Sequence, residues 1–275
     1  MLLGGILIVS LALAVVTCLN CLWWLPLAWA GYLAGLVLLA GAFLAICCAV
    51  VDKDKPQEKD SKFYRRLAEL YINALVVVCR VRLHTEGLEK IPKEGRFVLV
   101  CNHLSNMDPV VILKLFPKSQ LSFISKKENR DMIFVGSVMH KIGCQLINRE
   151  NDREALKTIL KCIQMIKEDQ ASIAVFPEGY CSVDGKLQHL KGGVFKIAQK
   201  TKVPIVVCTI RDTKEALHRL VRLKSSDVTF HLVDVIPPEA LEGRNTVDIA
   251  NQVYEMMLSD LGEEFRPDDQ STQNT

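Results

Sequence analysis

The sequence predicts an α/β protein: a mixed, mostly parallel sheet flanked by helices, with an N-terminal apolar helical membrane anchor. Two observations predict it. From about residue 96 onward, short apolar runs alternate with stretches of helical periodicity, the pattern of a layered α/β fold. Residues 1–51 contain no Asp, Glu, Lys or Arg, so every charged side chain lies in 52–275. At 275 residues the chain has room for one enclosed domain and a modest extra segment.

The N-terminal region comes first. One bilayer crossing needs about 20 apolar residues, and positions 2–51 offer 50 uncharged ones. Asn20, Trp23, Trp24 and Pro26 cluster at a natural break. Trp favours the membrane interface and Pro starts or kinks a helix. The expected helices are therefore about 2–19 and 27–51. No Lys or Arg precedes the apolar stretch, which argues against a secretory leader. Gly31 and Gly35 have the spacing of a helix-packing face, which chance in a Gly/Ala-rich helix also produces. Lys53, Lys55, Lys59, Lys62, Arg65 and Arg66 follow, interleaved with Asp52, Asp54, Glu58 and Asp60. Basic flanks stay inside, so this side is expected at the cytoplasmic face of the cell membrane. Two crossings and a re-entrant hairpin both satisfy that orientation.

Residues 63–79 carry Phe63, Leu67, Leu70, Tyr71, Ala74, Leu75 and Val78 at helical spacing. Such a helix suits either a membrane surface or an ordinary core. Next come expected strands at Phe97–Cys101, Gln120–Ser125, Cys144–Asn148, Ser172–Phe176, Pro204–Ile210 and Val228–Val235. Between them, 152–168 reads as a helix with Leu156, Ile159, Leu160, Ile163 and Ile166 on one face, and 246–262 as another, capped by Thr246, with Val253, Met256, Met257 and Leu261 inward. The resulting division is 1–51 membrane hairpin, 52–83 basic linker and amphipathic helix, 84–263 catalytic domain and 264–275 disordered tail.

A net charge of +3 without a dense basic stripe excludes nucleic acid as an expected partner and fits an anionic lipid surface. Ten cysteines lie mostly in apolar runs and are read as free thiols of a reducing compartment. Cys18 and Cys21 form a C-x-x-C pair that nothing completes into a zinc site.

Chemistry is expected at Asn102-His103-Leu104-Ser105-Asn106-Met107-Asp108, directly after the first of those strands. An Asp bound to one imidazole nitrogen fixes the tautomer and raises the basicity of the other, which then takes a proton from a substrate hydroxyl. A lone His-x4-Asp equally fits a helix cap beside a surface histidine. No Gly-x-Ser-x-Gly elbow accompanies it, although Ser105 and Cys101 lie near His103. Direct attack by a substrate hydroxyl is the simpler expectation.

Asn102-His103 with Asp108 resembles the N-H-x4-D signature of the glycerolipid acyltransferases, which include the 1-acylglycerol-3-phosphate (lysophosphatidate) acyltransferases. Three further blocks follow in the family's order: Lys127-Glu128 with Gly136, Gly143, Ile147, Asn148 and Arg149; Phe176-Pro177-Glu178-Gly179-Tyr180-Cys181-Ser182; and Val203-Pro204-Ile205-Val206-Val207. The resemblance covers about 84–210. It implies acyl transfer from acyl-CoA or acyl carrier protein to a lysophospholipid, at a membrane, without metal or cofactor. It also implies His103 as base with Asp108 orienting it, and Asn102, Lys127, Arg149, Glu178, Gly179 and Lys191 as substrate-binding residues. The third block departs from the family: Tyr180-Cys181 stands where Thr-Arg is usual. A missing charged partner there costs about 1.5–3 kcal/mol of phosphate binding. Lys186, Lys191 or Arg149 would compensate, or the acceptor would be glycerol 3-phosphate or another lysolipid; a weakened, membrane-tethered binding protein is the remaining alternative. Phe134 stands where the second block often has Pro.

Overall fold

The computed structural model describes residues 1–19, 21–55, 60–216 and 224–267. Asn20 of the expected break, Glu58 and Lys59 of the basic flank and residues 268–275 of the expected tail lie outside the described residues. The chain separates into two compact units, one of Met1–Val77 with Glu128–Ile142, the other of Val78–Lys127 with Gly143 onward.

The first unit begins with α1, Leu2–Thr17, and α2, Leu25–Ala49, the latter preceded by a 3-10 turn at Leu22–Trp24. Pro26 lies in the first turn of α2, where its missing N–H breaks no hydrogen bond. Trp29 Nε1 donates to Ser10 Oγ at 3.0 Å and ties the two helices together. Leu22–Ala49 is long and apolar enough to cross a membrane, whereas α1, at 16 residues, falls short. Gly31 and Gly35 are no packing face among the described residues, because a Cβ on either would meet nothing within 4 Å.

Helix α3, Lys62–Val78, follows. It turns Tyr64, Leu67 and Tyr71 toward α2: the tyrosine hydroxyls donate to the carbonyls of Cys47 (2.6 Å) and Ala40 (2.5 Å). Phe63, Leu75 and Val78 of the apolar stripe are exposed. The two phenol groups decide the face, since each satisfies a backbone carbonyl while burying its ring. Helix α5, Val135–Lys141, joins this unit through Ser137 Oγ, which donates to Cys48 O (3.1 Å), and Ser61 N, which donates to Lys141 O (3.0 Å). Gly136 is required here, because a Cβ would lie 1.9 Å from Arg130 O. Phe134, which begins this helix, has φ +63°, a value the proline ring forbids.

The second unit is built on a seven-stranded sheet. Its strands are β1 Val81–Glu86, β2 Val98–Cys101, β3 Leu121–Lys126, β4 Gln145–Ile147, β5 Ser172–Val175, β6 Ile205–Arg211 and β7 Ser226–Ile236, in the order β1-β7-β6-β2-β5-β3-β4. All neighbours are parallel except β6 and β7. The six expected strands are present and the fold class is the expected one. Strand β1 was not anticipated, and it crosses the expected boundary at residue 83/84. Its pattern is nearly all exposed, so it lacks the apolar run that marks the others.

Alternation along β2 feeds two cores. Val98 and Val100 pack with Ile173, Val175, Ile205 and Val207 beneath α6 (Asp152–Lys167), α7 (Lys196–Thr201) and α8 (Thr246–Leu261). Phe97, Leu99 and Cys101 pack on the other face with Phe123, Phe230 and the α4 residues Val111 and Ile112; α4 is Asp108–Leu115. Burial on both faces explains why these strands read as continuous apolar runs. Two helix details differ from expectation. Leu156 and Leu160 of α6 are exposed, and the buried stripe is Ile159, Cys162, Met165 and Ile166, because the apolar arc is wider than the face that meets the sheet. Asn245, not Thr246, caps α8, its side chain accepting Val247 N at 3.0 Å.

Candidate active site

Three adjacent strands, β5, β2 and β6, end at the same edge of the sheet. The loop after each supplies part of one cluster, in the position where open α/β sheets gather their ligands. His103 follows β2, Glu178 and Cys181 follow β5, and Thr213 follows β6.

The spacing from His103 to Asp108 is explained by the turn between β2 and α4. Asp108 is the first residue of α4 and fully buried. Its Oδ2 accepts Leu104 N (2.6 Å) and Ser105 N (2.8 Å), which wraps the loop around the carboxylate and brings His103 Nδ1 to 2.8 Å from the same oxygen. Thr213 Oγ1 donates to the other oxygen, Oδ1. Both oxygens of the buried charge thus accept hydrogen bonds, which is what makes its burial tolerable. Phe176 stacks on the imidazole, with ring centres 4.0 Å apart and planes 13° from parallel.

On the opposite side of the ring, Cys181 Sγ lies 2.9 Å from His103 Nε2. Burial alone would pull the His103 pKa down, but hydrogen bonds to Asp108 and Cys181 outweigh it and hold it up at about 9. Burial pushes the Glu178 carboxyl up to about 7, against the two backbone N–H groups that favour its charge.

Asn102 and Glu178 face the protein rather than a ligand. Asn102 Nδ2 donates to Ile210 O (2.9 Å) and its Oδ1 accepts Ile210 N (2.8 Å), so both amide groups are spent on clamping β2 to β6. Glu178 Oε1 accepts His103 N (2.6 Å) and Oε2 accepts Gln188 N (2.8 Å). Gly179 has φ +90°, and a Cβ there would come 3.1 Å from Lys191 Cε and 3.4 Å from its Nζ: the lysine stem and ammonium lie across the glycine. Lys127 and Arg149 follow β3 and β4, two and three strands from β2, and both are exposed.

Lys186 Nζ is engaged by Glu264 O at 2.8 Å. Ser105 Oγ points to Thr213 O (3.2 Å) and Cys101 is wholly buried, its thiol pushed well up by burial. Neither nucleophile weighed from sequence therefore meets Nε2; Cys181 does. Thr213 was missed because a threonine in a loop after a strand carries no local signal. No group of three His, Cys, Asp or Glu among the described residues is arranged to hold a metal. All ten cysteines are free.

Residues 82–211 match the family described as Acyltransferase. Over 178 residues the chain is 32% identical to the "Probable 1-acyl-sn-glycerol-3-phosphate acyltransferase" of Mycoplasma pneumoniae, a match covering 63% of this chain and 64% of that one. Over 173 residues it is 28% identical to the 1-acyl-sn-glycerol-3-phosphate acyltransferase of Borreliella burgdorferi, covering 62% of this chain and 68% of that one. The chain thus spans less than two thirds of the length of the Mycoplasma relative. The crystal structure of the 1-acyl-sn-glycerophosphate acyltransferase PlsC from Thermotoga maritima shares the fold, with a TM-score of 0.61 and 23% identity over 84% of this chain and 91% of that one. The N-H-x4-D turn and the Phe-Pro-Glu-Gly block both lie within residues 82–211, the stretch that is similar to the family described as Acyltransferase.

Proposed function

We propose that the protein is a 1-acylglycerol-3-phosphate O-acyltransferase, moving a fatty acyl chain from acyl-CoA or acyl carrier protein to the free hydroxyl of lysophosphatidate and giving phosphatidate for phospholipid synthesis. The observation that carries this reading is the buried Asp108 carboxylate 2.8 Å from His103 Nδ1, which fixes the ring and directs Nε2, beside Cys181 Sγ, away from that carboxylate as the nitrogen that exchanges protons. His103 takes the proton of the acceptor hydroxyl, whose oxygen forms an ester to the acyl carbonyl while the donor thiol departs. Asp108 holds the ring, and Glu178 and Asn102 hold the backbone around it as positioning residues. Lys191, lying over Gly179, supplies the cation that the Cys181 position lacks, and Arg149 and Lys127 extend the positive edge toward the acceptor phosphate.

In this reading residues 1–51 anchor the enzyme in the cell membrane, 52–83 link the anchor to the catalytic domain of 84–263, and 264–275 are a tail. The length and apolarity of Leu22–Ala49 support the anchor. The basic residues after it favour a catalytic domain on the cytoplasmic face.

A thiol-release assay of the full chain, reconstituted in lipid, tests the reading. Oleoyl-CoA and oleoyl-carrier protein serve as donors, with lysophosphatidate, glycerol 3-phosphate and lysophosphatidylcholine as acceptors. The expected result is acceptor-dependent release greatest with lysophosphatidate. Clear preference for an acceptor without a phosphate monoester overturns the choice of acceptor, which is the second reading favoured by Cys181 in place of a cation.

A further inference from the structure

A nucleophile that the acyl-transfer reading leaves unused stands beside the proposed base. Cys181 Sγ is 2.9 Å from His103 Nε2, and Asp108 Oδ2 is 2.8 Å from Nδ1 of the same ring. Thiol, imidazole and carboxylate therefore stand in the order nucleophile, base and orienting group. Cys181 is half-buried, open enough to be reached, whereas the strand thiols Cys101 and Cys208 are fully enclosed.

We infer that Cys181 is the first acceptor of the acyl group, receiving the chain from the thioester donor as an enzyme-bound thioester and passing it to the acceptor hydroxyl. This rests on the acyl-transfer reading and adds a covalent step to it.

The step balances without any other reactant. His103 holds the proton of Cys181, and the thiolate attacks the donor's acyl carbon. The carbon–sulfur bond to the donor breaks, and the departing thiol takes its proton from His103 Nε2. In the second half, the acceptor hydroxyl gives its proton to Nε2 and its oxygen attacks the Cys181 thioester. The Cys181 sulfur then leaves and recovers the proton from His103. One thioester is exchanged for another, and that thioester for an oxygen ester.

Two observations favour the covalent route over direct attack alone. The thiol occupies the very nitrogen that an acceptor hydroxyl would need, so a direct route has to displace it. With its pKa held at about 9, His103 is largely charged near neutral pH. An imidazolium stabilises a neighbouring thiolate, and only after giving its proton to the departing donor thiol does it have the Nε2 lone pair that receives the acceptor hydroxyl's proton. In the family pattern an arginine is usual at this position; a thiol in its place holds no phosphate but does supply a nucleophile.

The full chain is incubated with labelled oleoyl-CoA, and in a parallel arm with oleoyl-carrier protein, without acceptor. The product is examined by intact and peptide mass spectrometry, and exchange of labelled free thiol into the donor is followed. The expected result is one oleoyl group on Cys181, released by neutral hydroxylamine and absent in C181A and H103A, together with acceptor-independent exchange. In C181A, transfer to lysophosphatidate falls at least tenfold. In C181S, an oleoyl ester accumulates that hydroxylamine releases more slowly. Wild-type protein that transfers oleate to lysophosphatidate with no adduct and no exchange, and C181A with undiminished turnover, each overturn the covalent step while leaving the acyltransferase reading standing. Exchange without transfer to any acceptor upholds the covalent step and overturns the acceptor. Neither exchange nor transfer from either donor overturns both.

Discussion

Glu178 reaches across 75 residues of sequence to accept the backbone N–H of His103 at 2.6 Å, and with its second oxygen accepts Gln188 N at 2.8 Å. The carboxylate thus fixes the peptide that carries the proposed base, rather than presenting itself to a ligand. Its pH behaviour follows from its burial. An acid whose folded pKa is raised, here from 4.5 to about 7, binds its proton more tightly in the folded chain. Its contribution to stability is present below about pH 4.5 and is lost as pH rises toward 7.

Glu178→Gln removes that titration. Between pH 4.5 and 7, wild type is expected to lose stability relative to the variant by up to roughly 3 kcal/mol, at ~1.4 kcal/mol per pK unit. Denaturant unfolding of both proteins across this range checks it. Parallel pH profiles would mean that folding does not raise the Glu178 pKa.

Asp108→Asn leaves His103 without the carboxylate that orients it and raises its pKa. Thiol release in the presence of lysophosphatidate is expected to fall by roughly 10²–10⁴-fold, the range of general-base contributions. The His103 titration moves down from about 9, read by NMR of the imidazole. A variant with wild-type turnover removes Asp108 from the mechanism.

Asn102→Ala deprives Ile210 of both backbone partners, an N–H and a carbonyl, inside the sheet. Each unsatisfied group costs about 1–3 kcal/mol, so a loss of about 2–6 kcal/mol is expected in unfolding experiments. A ligand-binding role would instead raise the acceptor KM and leave the unfolding midpoint unchanged.

Gly179→Ala forces a side chain into a φ of +90°, for about 1–2 kcal/mol, and pushes the Lys191 stem aside. Lys191→Met keeps the stem and removes the charge. Both are expected to raise the lysophosphatidate KM, by roughly 10- to 100-fold for Lys191→Met, from the ~1.5–3 kcal/mol of a charged hydrogen bond. The donor KM should not move. An unchanged acceptor KM for Lys191→Met assigns the phosphate contact elsewhere.

Much of the fold is legible in sequence because it depends on local pattern. A strand buried on both faces, such as Val98–Cys101, must be apolar throughout, and a helix against a sheet must repeat at helical spacing. Strand β1 escaped because Val81–Glu86 lies largely exposed and carries Arg82, His84 and Glu86. The sequence leaves the face of α3 open between a membrane surface and a core, because Tyr64 and Tyr71 find their partners on a different helix.

By itself the sequence determined the α/β class and the uncharged N-terminal segment, and it set His103 and Asp108 five residues apart, a spacing that fits a dyad or a helix cap. Each of these is written in neighbouring residues: a periodicity, a composition, a turn short enough for its own carboxylate to close. Only tertiary structure decided what surrounds the pair. Asn102 turns to Ile210, 108 residues away; Thr213 reaches Asp108 across 105; Cys181 meets His103 across 78. Those contacts exist because β5, β2 and β6 are neighbours in the sheet and not in the chain, so their loops converge at one edge. Local spacing holds no record of that order.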